Sequence, residues 1–287
     1  MYLGQNPARQ VAIGAGLPNS VPATTVNKVC ASGLKAIALG AASIAAGDAD
    51  VIIAGGTESM SNVPFYSTTQ RWGSKFGHQE LVDGVVKDGL WDAYNRFLMG
   101  DAAELCAQEF NLTRQDQDDF AIASYTKAQN ATTAGYFAEE IVPIEIAGGR
   151  GKPGKVVSVD EEIGNLNVDK VRAMRPAFKP NGGTVTAPNS SPLSDGAASV
   201  ILMSKSKVQE LGLKPLARIV SYADAAHVKK KNFFVCISMN LMSILVRNLQ
   251  NSLLLLRKPF QSHLQKLIFP SKTYLTLSSM KHSQLSD

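Results

Sequence analysis

The chain has 287 residues, 45% of them hydrophobic and 18% charged, a balance that suits a globular protein and excludes a disordered or low-complexity one. Its net charge of +5 is unevenly spread: residues 228–287 carry nine Lys or Arg against one acid, a local +8 that leaves the first 227 residues at −3. Three cysteines, Cys30, Cys106 and Cys236, are too few and too scattered for a disulfide framework or a zinc site, so a reduced, intracellular protein is the economical reading, with the cytoplasm the expected compartment and peroxisome and mitochondrion as alternatives.

The start, MYLGQNPARQ, has no basic region followed by an apolar core, so it does not read as a secretory signal. Residues 21–57 predict strand, helix, strand: PATTVNKV is short and β-branched, SGLKAIALGAASIAAG is rich in helix formers, and ADVIIAGG is an apolar run closed by glycines. Leu34, Ile37, Ala41 and Ile44 recur at helical spacing, and Ala38 and Ala45 widen their stripe. Gly40 costs some helix propensity but permits close packing. Two parallel strands joined by a helix predict an α/β sheet covered on both faces.

From about 60 to 180 the chain is loop-rich, with helices expected near 100–110 and 115–135. Thr113 and Asp116 open the second with the spacing of a capping box. Strand-like VTAP and ASVILMS then return to the sheet, linked by SDGA, and ARIVSYADAA reads as one more strand. Beyond it the longest apolar run, FFVCISMNLMSILV from Phe233, falls short of the ~20 residues that cross a bilayer. The basic tail has no ordered aromatic interleaving, so neither nucleic acid nor membrane is an expected partner.

Cys30 lies where a short strand meets a small-residue helix, in VNKVCASGLKA. A helix N-terminus aims free N–H groups and partial positive charge at a thiol and favours its thiolate form, and Ala31, Ser32 and Gly33 leave room for a flat thioester. Two readings stand for this residue: a reactive nucleophile, or an ordinary buried cysteine of the kind common in protein cores.

NKVCASGLKA followed by AGGTESMSNVP resembles the nucleophile region and following strand of the thiolase family, of the acetyl-CoA acetyltransferase type. The resemblance continues through KDGLWDAYNRFLMG, AAELCAQEF, RQDQDDFAIASYTKA, EIVPIEI and MRPAF to GGTVTAPNSSPLSDGAASVILMS and LARIVSYADAA, covering residues 3–226. It implies the α/β thiolase fold, N-terminal half only: a mixed sheet covered by helices, with an inserted loop subdomain. The implied domains are 1–60, first part of the N-terminal domain without its initial strand; 61–182, the inserted subdomain that binds coenzyme A; 183–213, the return; 214–227, the first strand of the C-terminal domain; and 228–287, a tail foreign to the family and without ordered packing.

The same resemblance implies condensation of two acetyl-CoA molecules to acetoacetyl-CoA and CoA, or the reverse thiolysis, through an acetyl thioester on Cys30. By motif position Tyr125, Lys170 and Ser191 match residues that contact CoA, and Met99 matches a pocket-lining methionine. Tyr125, Ala187, Pro188 and Ser190 match a potassium site of some members. No tightly bound cofactor is implied beyond that ion. The expected partners are acetyl-CoA, acetoacetyl-CoA and CoA, and a homo-oligomer. Pro188 stands where the family usually has glycine or alanine; with its φ fixed and no N–H it is expected to disturb its loop.

Thiolases also use a Gly-His-Pro motif for the base, a Cys-x-Gly motif for the second cysteine and an Asn-Glu-Ala-Phe motif that holds a water. None of these occurs in the 287 residues: His78 lies in FGHQE, and Cys236 is followed by Ile237 and Ser238. Residues 228–287 contain no Gly, Ala or Glu, whereas the first 227 hold all 23 glycines. This segment reads as intron sequence followed by an exon in the wrong frame. QNSLLLLRKPFQS can be encoded by bases that spell PELFTTAPEAIPK in the neighbouring frame, and MKHSQ by bases that spell NEAFS. The expected consequence is a chain inactive in the full reaction, or a non-catalytic subunit that associates with full-length thiolase.

Overall fold

The computed structural model of the chain describes residues 3–149, 151, 153–225 and, as backbone alone, 241–248. Its elements in chain order are α1 (Pro7–Gly14), α2 (Ser32–Ala46), β1 (Val51–Ser59), β2 (Phe65–Ser67), β3 (Leu81–Asp83), β4 (Trp91–Asp92), β5 (Phe97–Leu98), α3 (Met99–Glu109), α4 (Arg114–Thr133), β6 (Ile144–Ile146), β7 (Lys155–Val157), α5 (Val168–Ala173), β8 (Asp195–Met203), α6 (Lys205–Glu210), β9 (Ala217–Ala225) and β10 (Leu241–Asn248). Among the described residues the chain divides into two compact units, one of residues up to Met99 together with those from Leu193 on, the other of Gly100–Pro192. Residues 61–99, expected within the inserted subdomain, lie in the first unit.

The first unit is organised around α2. Strands β1 and β8 pair antiparallel in a register that runs from Val51 opposite Met203 to Ser59 opposite Asp195. Ile52, Ala54 and Gly56 therefore share a face with Leu202, Val200 and Ala198, and α2 packs there. Gly40 makes that approach possible: a methyl group on it would lie 2.8 Å from Leu202 Cδ1 and 3.1 Å from Ile52 Cγ2. At the helix start, a methyl on Gly56 would lie 3.3 Å from the Gly33 Cα. Leu34 and Ala38 form the buried centre, with Ile37 and Ile219 of β9 packed around them. Over Val29–Ala46 the mean hydropathy is 1.6, high enough for a membrane span; one face of the helix packs on β1 and β8. On the other face of the pair, Ile53 and Ile201 are 53% and 66% exposed.

The strand–helix–strand reading is corrected at its first element. Residues 22–29 form no strand, only a bridge between Lys28 and Cys30. Local side chains take the groups that a ladder would use: Thr25 Oγ1 accepts from the Ala8 N–H at 3.1 Å, the Asn6 amide donates to the Ala23 carbonyl at 3.2 Å, and Asn27 Oδ1 accepts from the Val29 N–H at 2.8 Å. The expected parallel pair is therefore replaced by the antiparallel β1–β8 pair, closed by a segment far along the chain. VTAP is likewise a loop rather than a strand, with Val185 and Thr186 buried. ARIVSYADAA does form β9, which pairs antiparallel with β10. Strand β10 comes from the tail; apart from it, residues 228–287, with Cys236 and the Leu253–Leu256 run, lie outside the described residues.

The second unit carries α4 and α5, with the β6–β7 hairpin and a 3-10 turn over Glu162–Asn165 between them. Helix α4 starts on the expected capping box: Thr113 Oγ1 accepts from the Asp116 N–H at 3.1 Å, and the Asp116 carboxylate accepts from the Thr113 N–H at 2.8 Å. The Thr113 hydroxyl, which donates to the same carboxylate at 2.6 Å, and then the Thr113 N–H hold the Asp116 carboxyl below its ordinary range. Asp118, one turn inside the helix, is 1% exposed, and it accepts from Arg114 Nε at 2.8 Å while Arg114 Nη2 donates to the Val171 carbonyl of α5 at 2.8 Å.

Candidate active site

Cys30 stands just ahead of α2, whose N-cap is Ala31, and its side chain is exposed. An exposed thiol is not the ordinary buried core cysteine of the alternative reading. The turn that presents it is unusual. Val29 has φ 50°, a left-handed conformation that a β-branched residue adopts only when the surroundings hold it there. Three local bonds do so: Lys28 N–H donates to Ser32 Oγ at 2.8 Å, Ser32 Oγ donates to the Val29 carbonyl at 2.7 Å, and Asn27 accepts as described. Chemically this is an accessible thiol at the head of a helix, on a turn with little freedom.

Sequence reasoning passed over Lys28, Lys35 and Asp224. The Asp224 carboxylate of β9 accepts from Lys28 Nζ through one oxygen and from Lys35 Nζ at 2.6 Å through the other. Lys28, then Lys35, holds the Asp224 carboxyl below its ordinary range. Nothing local in the sequence announces this contact, since Lys28 and Asp224 are 196 positions apart.

Met99 opens α3 and is half-buried, in the same unit as Cys30. The other expected site residues lie in the second unit. Tyr125, on α4, donates its hydroxyl to Glu162. Burial, and then that carboxylate, push its phenol up to about 12. One turn on, Gln129 Nε2 donates to the Ile163 carbonyl at 2.9 Å. Lys170 is exposed on α5, its N–H held at 2.9 Å by the cap residue Asn167. Ser191 is exposed.

Ala187, Pro188 and Ser190 form one turn. The Ser190 N–H donates to the Ala187 carbonyl at 3.2 Å, and Ser190 Oγ donates to the Thr186 carbonyl at 2.7 Å. Pro188 is the second residue of that turn, the position for which its φ is suited and where no N–H is needed. The expectation that it disturbs the loop is therefore not met.

The residues that set this loop were not singled out from sequence. Glu104 of α3 accepts from Thr184 N–H at 2.9 Å, Thr184 Oγ1 at 3.0 Å and Val185 N–H at 2.8 Å. Asn189 Oδ1 accepts from Thr186 N–H at 2.7 Å, and its amide donates to Asp118 Oδ1 and to the Thr184 carbonyl, both at 3.0 Å. Thr186 is fully buried. The only sequence signal was a cluster of Thr, Asn and Ser beside paired glycines, a loop signature that does not name its partners. Asp118 thereby ties the loop to α4, the helix that also carries Tyr125.

Among the described residues no three His, Cys, Asp or Glu come together as a metal site. A potassium ion takes a different donor set, neutral carbonyl and hydroxyl oxygens. The carbonyls of Ala187 and Pro188 and the hydroxyls of Ser190 and Tyr125 are of that kind, so the chemistry of the residues fits such an ion.

Residues 1–206 match the family described as "Thiolase, N-terminal domain". The acetyl-CoA acetyltransferase of Schizosaccharomyces pombe is 59% identical over 224 residues, which span 78% of this chain and 56% of that protein. The cytosolic acetyl-CoA acetyltransferase ERG10 of Gibberella zeae is 61% identical over 223 residues, again 78% of this chain and 56% of the relative. A crystal structure of Acat5 thiolase from Ascaris suum in complex with coenzyme A superposes with a TM-score of 0.73 at 43% identity, covering 79% of this chain and 57% of that one. The chain thus spans little more than half the length of these relatives. With the matched segment reaching from the first helix through the Cys30 turn to β8, the chain belongs to the thiolase family and has its α/β fold.

Proposed function

We propose that this chain carries the acyl-accepting half of an acetyl-CoA C-acetyltransferase, and that its 287 residues do not by themselves complete the condensation. The observation that carries the reading is the exposed Cys30 thiol at the head of α2, on a turn held in a conformation that Val29 would not adopt freely. In the first half-reaction Cys30 Sγ attacks the acetyl carbonyl of acetyl-CoA. The new Sγ–C bond forms, the bond from carbon to the CoA sulfur breaks, and the proton leaving Cys30 is balanced by protonation of the departing CoA thiolate. Fixed N–H donors at a helix start are suited to the oxyanion that forms on the way.

Tyr125, Lys170 and Ser191 would contact CoA, and Met99 would line the acyl pocket. Support comes from the family membership and from the coenzyme A held by the Ascaris suum thiolase. A potassium ion bound by Tyr125, Ala187, Pro188 and Ser190 would supply fixed positive charge to the loop. The second half-reaction needs a base and a second cysteine, and the chain contains neither a Gly-His-Pro nor a Cys-x-Gly run. Cytoplasmic location is supported by the cytosolic Gibberella zeae relative.

A second reading, a non-catalytic subunit that associates with full-length thiolase, is favoured by the uncovered Ile53 and Ile201 face of β1 and β8. The deciding experiment incubates the purified chain with acetyl-CoA and maps acetyl groups by mass spectrometry, beside thiolysis of acetoacetyl-CoA by the chain and by Cys30→Ala. One acetyl group on Cys30 without turnover is the expected result. A folded chain that takes no acetyl group leaves the subunit reading, and turnover lost in Cys30→Ala shows a complete site within the chain.

A further inference from the structure

The local bonds of the Cys30 turn all run between residues 27 and 32. They fix its shape but do not anchor it to the sheet. A charged anchor comes from β9, beside the packing of Gly33 on Gly56 of β1. Asp224 takes Lys28, two residues before the nucleophile, with Oδ1, and Lys35, on the second turn of α2, with Oδ2. One carboxylate therefore grips both arms of the turn. The gripped side chains are well covered, Lys28 12% and Lys35 27% exposed, while Asp224 itself is 40% exposed. An ion pair this close to water contributes little to stability, so these contacts matter chiefly for where they hold the turn.

Resting on the reading of Cys30 as the acyl acceptor, we propose that Asp224 is a positioning residue for the nucleophile: it acts through Lys28 and Lys35 to set the thiol over the head of α2, without touching the acyl group. Geometry is the reason such a role has leverage, because misplacing a reacting atom by ~1 Å costs on the order of 100-fold in rate. Lys28 precedes the strained Val29 directly, so freeing its ammonium leaves the turn its local bonds but removes the hold that places it relative to β9.

The test uses the full chain and follows two reactions of Cys30, acetylation by acetyl-CoA and alkylation by iodoacetamide, by peptide mass mapping. Cys106 is the internal reference: it is half-buried, and burial, then Glu109, push its thiol up. Asp224→Asn is expected to slow Cys30 modification by about tenfold, while Cys106 labelling and the unfolding midpoint stay where they are. Asp224→Glu is expected to restore most of the rate. A Cys30 rate that is unchanged or faster in Asp224→Asn overturns the proposal, as does slowing of Cys30 and Cys106 together. If wild-type Cys30 takes no acetyl group yet its alkylation slows in Asp224→Asn, the positioning role stands and the acyl-acceptor reading falls. If acetylation proceeds equally in both proteins, the reverse holds.

Discussion

The first unit holds the Cys30 turn with neutral bonds among its own residues and an anchoring carboxylate that stays 40% exposed. The second unit holds the 184–190 loop with charge taken out of water: Asp118 is 1% exposed, and the half-buried Glu104 satisfies three donors at once. The two loops should therefore respond oppositely to substitution. A surface-held turn can change its geometry while the fold survives. A loop held by buried carboxylates keeps its geometry until the unit unfolds, because an orphaned buried charge costs far more than an exposed pair contributes.

The sharpest way to break this contrast is Asp118→Ala. It leaves Arg114, 25% exposed, without its carboxylate and Asn189 with the Thr184 carbonyl but not Asp118, and a loss of about 3–5 kcal/mol is expected in denaturant unfolding. A loss below about 1 kcal/mol would show that the loop does not hang on this pair. In the first unit, Val29→Gly sharpens the comparison. Val29 is 67% exposed, so little burial is lost, and relief of the left-handed strain outweighs the added chain entropy by up to about 1 kcal/mol. Unchanged or slightly raised stability together with slower alkylation of Cys30 would fit a turn whose strain serves geometry; a clear loss of stability would show that the Val29 side chain packs.

The smallest effect concerns pH. The Tyr125 phenol, pushed up to about 12 from an ordinary 10.0, stays protonated in the folded chain where the unfolded chain has lost that proton. Its contribution is therefore complete below pH 10 and is lost as pH rises towards 12. Ultraviolet titration of the tyrosines should show a last component at about 12, and Tyr125→Phe should remove that component. A single transition near 10 without that component would show that Glu162 does not hold the hydroxyl in solution.

What the amino-acid order determined by itself was local. The apolar stripe and small residues of 32–46 specify α2, Thr113 and Asp116 specify the start of α4, and the β-branched runs specify β1, β8 and β9. The family blocks around Cys30 identified its neighbourhood, because each block lies within a few residues of its own chemistry. Only the tertiary structure decided the rest. It chose β8 as the antiparallel partner of β1, turned 22–29 into a side-chain-bonded loop, and brought Asp224 to Lys28 and Glu104 to Thr184 across long stretches of chain. Periodicity reports which face of an element is apolar, but not which distant segment will meet it. That choice depends on packing and on satisfying buried polar groups throughout a unit at once.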